Sequence, residues 1–334
     1  LSQAGFLIPA GSCPSVGIGG HALGGGFGLY SRKFSVASDN ILSIDMIKAD
    51  GLLITANANK NEDLFFALRG AGGNNYGIVT SFTFQLHPTP PNVTSLSFQY
   101  EVSNIQKLLD TINKFGLNLP DDVTLSIVFS PESLELNGVY LGSQKNAKEV
   151  MKNFISSSNP SSTKFIEESF FSSVVRWGFE GTQGTINPTH HPNDFKAKSF
   201  LVKSPGLSSD AIKSLQKFMS ELPSDCPTFA EFDLFGGAIN RVAPDATAFV
   251  HRDILYGIQL YMELNSDSIT NTGCIDKINK FGVTFQNDFS SYQNYIDKDL
   301  VNWQKRYYGS NFPKLVDIKK KFDPDNVFKF PQSI

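Results

Sequence analysis

Cysteine is scarce in this 334-residue chain, with only Cys13, Cys226 and Cys274. That is too few for a disulfide framework and excludes the small stapled scaffolds. A single Cys226–Cys274 bridge would leave Cys13 free for other chemistry, but the sequence alone does not establish that pairing. An excess of positive charge is also absent: the formal net charge is −3, which argues against a general nucleic-acid surface. No apolar run approaches the ~18 residues of a membrane span. Metal-ligand spacing is missing too. His21 has no cysteine or acid near it in sequence, and His190-His191 beside Pro192 reads as a loop pair, so no metal is expected. The chain lacks an initiator methionine and the charged n-region of a signal peptide. It opens in mid-strand, on Ala4-Gly-Phe-Leu-Ile-Pro9, as a processed or truncated product would.

What is present supports an ordered, sizeable core: 40% of residues are hydrophobic. The length allows about two domains at ~150 residues each. Ile41–Ala56 predicts a hairpin turning at Asp50-Gly51. Asn61 is placed to cap a short helix over Glu62–Leu68 that Gly70 stops, and the alternation of Ile78–Leu86 predicts a half-buried strand. His87-Pro88-Thr-Pro90-Pro91 is the best domain boundary. Beyond it, strands are expected at Leu96–Val102, Val123–Phe129, Gly138–Leu141, Lys196–Val202, Phe229–Phe235 and Ile254–Leu264. Helices are expected at Ile105–Phe115, Ala147–Ile155, Asp210–Leu222, Asp276–Phe281 and Phe312–Phe322. Long strands with grouped helices predict an α+β fold, an antiparallel sheet backed by helices, rather than a βαβ array. Asn92-Val-Thr94 is a glycosylation sequon and a weak sign of a secreted protein.

Glycine is dense where it is costly. Gly11-Ser-Cys13-Pro14-Ser-Val16-Gly17-Ile-Gly19-Gly20-His21-Ala-Leu-Gly24-Gly25-Gly26-Phe27-Gly28 gives up backbone entropy that only close main-chain approach or positive φ can justify. The run satisfies a loose dinucleotide fingerprint, with Asp39 about 20 residues on where a ribose-binding acid is expected. That motif needs a helix directly after it, and Leu23 followed by three glycines is a poor place to start one. Loop or strand is therefore expected after Gly19. Read as a cradle, the run turns backbone N–H groups toward a ligand, and His21 hydrogen-bonds neighbouring backbone.

The same run resembles the flavin-binding core of berberine-bridge-enzyme-like oxidoreductases, within the vanillyl-alcohol-oxidase (PCMH-type) flavoproteins. The resemblance implies FAD held by Val16, Gly17, Gly19, Gly20, His21, Gly24 and Gly25, with Cys13 as a covalent tether. Asn75-Tyr76-Gly77-Ile78-Val79-Thr80 resembles the family's second flavin contact, which implies a role for Gly77, Ile78 and Val79. Ser291-Tyr292-Gln293-Asn294-Tyr295-Ile-Asp297-Lys-Asp299-Leu300 resembles the segment carrying the substrate-side tyrosine, and the tail from Tyr307-Tyr308-Gly309 to Phe328 matches the family's closing segment. It implies Asn294 and Tyr295 at the flavin, Tyr295 as the base, Asp233 as its support and Gln259 as a pocket hydrogen-bonder. A phenol is a poor base near neutrality unless its surroundings favour the phenolate. Because glutamine cannot act as a base, Gln259 tilts the expectation away from amines and toward alcohols.

The domains implied are a partial FAD-binding domain over 1–90, a substrate domain over 91–290, and a segment over 291–334 returning to the FAD domain. No Arg-x-x-Gly-Gly-His-type motif for a second, histidyl anchor occurs. The expected activity is oxidation of a hydroxyl on a sugar, oligosaccharide or small alcohol, with O₂ or another acceptor reoxidising FAD, in a secreted monomer bound to neither nucleic acid nor membrane. The competing readings are a flavin-free, non-catalytic binding protein and a nicotinamide dehydrogenase.

Overall fold

The computed structural model describes residues 1–178, 194–264, 268–285 and 289–334; the pair His190-His191 lies outside them. The first lobe runs β1 (Phe6–Leu7), α1 (Ile18–Leu23), α2 (Ser31–Phe34), β2 (Ile41–Ile47), β3 (Leu53–Asn57), α3 (Glu62–Ala67), β4 (Ile78–Phe84) and β5 (His87–Pro88). Strands β3-β2-β4 form an antiparallel sheet, and β1 pairs with β5. The hairpin turns where expected, with Gly51 at φ +79° and the Leu52 N–H donating to Asp50 Oδ1 at 3.0 Å. Asn61 occupies the N-cap position of α3 but does not cap. It sits at φ 52° and spends its amide on the Thr55 carbonyl at 2.8 Å. The alternation of β4 slips at a register shift opposite Asp45 and Met46, so Thr80 and Ser81 both face outward and Ile78 is exposed.

The second lobe is a seven-stranded antiparallel sheet in the order β10-β12-β11-β7-β8-β6-β9. Its strands are β6 (Val93–Tyr100), β7 (Val123–Phe129), β8 (Leu134–Tyr140), β9 (Ser162–Glu168), β10 (Phe195–Lys203), β11 (Thr228–Leu234) and β12 (Ile254–Glu263). Helices α4 (Ile105–Phe115), α5 (Gln144–Ser158), α7 (Ser209–Ser220) and α9 (Ser268–Phe285) cover one face, while α6 (Phe170–Gly178) packs near the first lobe and α8 (Ala238–Arg241) follows β11. Ala230, Phe232 and Leu234 of β11, with Ile258, Leu260 and Met262 of β12, point into that helical core. Period-two alternation therefore sends Glu231, Asp233, Gln259 and Tyr261 to the opposite face. Cys226 and Cys274 form a disulfide tying the approach to β11 onto α9. In this lobe β9, a polar edge strand, α6 after it and the short α8 escaped the sequence reading.

The tail returns to the first lobe through α10 (Trp303–Tyr308) and α11 (Phe312–Phe322), where Leu315, Ile318 and Phe322 share a core with Leu64, Phe65 and Phe66 of α3. Among the described residues, no helix is long and apolar enough to cross a membrane.

Candidate active site

The glycine run, the uncovered face of β10-β12-β11-β7 and the tail segment around Tyr295 enclose a cavity of about 790 Å³. Cys13 lies exposed at its wall, with Sγ 3.2 Å from Ser15 Oγ. The glycines divide into two kinds. A Cβ on Gly17, Gly19 or Gly20 would meet nothing within 4 Å, so these three present bare main chain to open space. Gly24 and Gly25 instead face protein: a Cβ would fall 1.8 Å from Asn294 Oδ1 and 2.6 Å from Phe249 Cδ2 respectively. These two were expected at the cofactor and are packing positions, where side chains from far downstream take the space. His21 lines the cavity, and its Nε2 accepts the Gly11 N–H at 3.0 Å. Burial lowers its pKa, which keeps the ring neutral.

The expectation of loop or strand after Gly19 is overturned. Residues Ile18–Leu23 form the short helix α1, closed by His21 N–H to the Gly17 carbonyl at 3.2 Å and Gly24 N–H to Gly20 at 3.3 Å. The helix ends before the three-glycine stretch, so those glycines need not start it. The dinucleotide reading fails on other grounds. Strand β1 is antiparallel to β5, and Asp39 is engaged by Arg252 at 2.7 and 2.8 Å rather than free for a ribose.

Residues 292–295 are stitched to the glycine run. Tyr292 Oη accepts from the Gly26 N–H at 2.9 Å and from Asn294 Nδ2 at 2.7 Å. Asn294 Nδ2 also reaches the His21 carbonyl at 2.9 Å, and Gln293 Nε2 donates to the carbonyls of Gly24 and Gly70. Tyr295 then stands edge-on to Tyr292 with centroids 5.1 Å apart. Cys13, Val16, Gly17, His21, Asn294 and Tyr295 therefore share one cavity with Asp233 and Gln259. Gly77, Ile78 and Val79 are not on its wall. Gly77 packs against the Ile47 carbonyl, where a Cβ would lie 2.5 Å away, Val79 packs on the first-lobe core, and the Ile78 side chain is exposed.

The electrostatics disfavour Tyr295 as a base acting alone. Burial raises its pKa well above the phenol range, and the acids Asp233 and Glu231 push it further. Glu231 is the functional candidate the sequence reading missed. It stands directly opposite Gln259 in the β11–β12 register, two residues from Asp233, and accepts from Ser126 Oγ at 3.2 Å. Its position i−2 to Asp233 on an alternating strand was the available signal. Burial raises the pKa of both carboxyls, and the charge of Glu231 raises that of Asp233 further. Toward the outer end, Tyr261 stacks between Phe195 and Phe229 with centroids 4.8 and 5.0 Å away.

A planar cofactor fits this arrangement. Three glycines leave main chain bare, a thiol is exposed beside them, and the acids lie on the opposing sheet. Fold and cavity together fit the class of flavin-dependent oxidoreductases. The comparisons carry this to the family. The family model described as "Berberine and berberine like" matches residues 291–334. An uncharacterised FAD-linked oxidoreductase of Bacillus subtilis, YvdP, is 31% identical over 340 residues, covering 100% of this chain and 74% of the relative. A chitooligosaccharide oxidase of Gibberella zeae is 30% identical over 361 residues, covering 100% of this chain and 70% of the relative. The solved structure of BBE-like 1 from Physcomitrella patens superposes with a TM-score of 0.90 at 38% identity, covering 99% of this chain and 73% of that one. The chain belongs to the berberine-bridge-enzyme-like FAD-linked oxidoreductases.

Proposed function

We propose that this chain oxidises a hydroxyl group of a sugar, oligosaccharide or small alcohol, with FAD tethered through Cys13. The observation that carries the reading is the single cavity joining Cys13, Gly17, Gly20 and Tyr295, residues far apart in sequence. Bound FAD supplies the hydride acceptor. Bare main chain at Gly17, Gly19 and Gly20 gives a flat ring a surface without side chains in the way. Tyr295 hydrogen-bonds the substrate hydroxyl and passes its proton on. Asp233, which lines the same cavity, receives it, because a phenol raised by burial cannot keep a vacancy for it alone. Gln259 orients the substrate by hydrogen bonding, and Phe195 and Tyr261 add apolar surface to the cavity wall. O₂ or another acceptor completes the cycle, and the chain acts as a monomer. The disulfide and the exposed sequon residue Asn92 favour a secreted protein.

The test is anaerobic mixing of the yellow protein with a reducing disaccharide. The colour bleaches, and Tyr295→Phe slows bleaching by about 100-fold or more. No bleaching by any hydroxyl donor, or an unchanged rate in Tyr295→Phe, contradicts the reading.

A further inference from the structure

Among the described residues, the acids of the cavity have no counter-cation. Glu231 and Asp233 sit on one face of β11, and among the described residues lining the cavity there is no lysine or arginine. The one imidazole there, His21, uses Nε2 to accept the Gly11 N–H at 3.0 Å, so it brings no proton on that nitrogen to the acids. The neutral partners are few: Ser126 Oγ donates to Glu231 at 3.2 Å, and Gln259 stands opposite it in the neighbouring strand. The positive side chains of the surrounding strands are committed elsewhere. Lys196 and Lys198 of β10 bind Asp297, while Arg252 before β12 binds Asp39. A buried negative charge without a partner is costly, and a ligand that brings the missing positive charge recovers that cost.

Resting on the reading of this site as a hydroxyl oxidase, we propose that Glu231 is a specificity-determining residue that selects substrates bearing a protonated amine. The substrate class is the amino sugar with a free amine, and carboxylated sugars are rejected. The placement supports this division of labour. Asp233, Glu231 and Tyr295 all line the cavity, and the charge of Asp233 weighs on Tyr295 more than that of Glu231 does. Glu231 lies two residues further along the strand, roughly 7 Å away at the rise of an antiparallel strand. That spacing is about the width of one sugar ring, which puts an amine on the same or the adjoining ring within reach.

The experiment compares cellobiose, the glucosamine disaccharide, its N-acetylated form and a uronate disaccharide on the flavin-loaded protein. Turnover and calorimetric binding are both measured, for the wild type and for Glu231→Gln. The proposal expects the free-amine sugar to bind and react roughly ten- to a hundred-fold better than its N-acetylated form, with the uronate weakest. In Glu231→Gln that preference falls toward one. Calorimetry supplies the readout that does not depend on turnover, and the wild-type comparison stands even if the variant folds poorly. Equal handling of free-amine and N-acetylated sugars by the wild type overturns the proposal, as does a preference that survives Glu231→Gln. Activity on cellobiose without amine preference leaves the oxidase reading standing and removes only this inference. No turnover of any hydroxyl donor removes the oxidase reading itself.

Discussion

Burial drives Tyr295 and His251 toward their neutral forms from opposite directions. For Tyr295 the pKa rises, so the proton it takes from a substrate must be handed onward, and Asp233 is the acceptor at hand. His251 is buried beneath the tail, and desolvation followed by the nearby Arg252 charge lowers its pKa from 6.5 to about 4. A depressed folded-state value means the unfolded chain takes the proton first. His251 therefore contributes stability that is present above pH 6.5 and lost as pH falls toward about 4, up to roughly 3 kcal/mol. The raised carboxyls act with the opposite sign. They weaken the fold above their ordinary range and cease to do so on acidification. Urea denaturation at pH 7 and pH 5 separates the contributions. The wild type should lose more stability over that interval than His251→Gln, whereas parallel losses would show that His251 does not govern the acid limb.

Among elements, the segment from Ser290 to Leu300 does most to set the site. It is laid along β10 by the Leu201 N–H to the Ser290 carbonyl at 2.8 Å and by Ser199, whose carbonyl and hydroxyl bind Ser291 and Tyr292 at 3.0 and 2.8 Å. Asp297 then anchors it between Lys196 and Lys198, all three buried. Asp297→Asn strips Lys198 of its carboxylate while Lys196 keeps Asp299 at 2.8 Å, so a loss of about 3 kcal/mol is expected from the urea midpoint at unchanged slope. A loss below about 1 kcal/mol would mean the triad does not hold the segment. The sequence made this segment legible through its motif, and it made β7, α4 and α11 legible because their apolar periodicity is strong. It could not separate Gly17, Gly19 and Gly20 from Gly24 and Gly25. All five belong to one run, and what distinguishes them is contact with Asn294 and Phe249, more than two hundred residues downstream. Strand β9 stayed hidden because a polar edge strand carries little alternation. Glu231 was legible from its spacing to Asp233, yet the motif drew attention to the aspartate alone.

The whole molecule brings three walls to one cavity: the glycine shelf of the first lobe, the polar face of the large sheet, and the tail that crosses between them. We propose that 1–90, 91–290 and 291–334 act as cofactor, substrate and closing units of that arrangement. The chain spans between about two thirds and three quarters of the curated relatives it matches, 74% of the Bacillus subtilis oxidoreductase YvdP among them. Across this architecture the central claim is that a flavin lies against the main chain at Cys13 and faces Tyr295. Mass spectrometry of the acid-denatured, protease-digested protein tests it most directly. The account predicts that the peptide containing Cys13 carries the mass of the flavin, and that Cys13→Ala abolishes the adduct. Release of all the flavin into acid by the wild-type protein, with an unmodified Cys13 peptide, would contradict it.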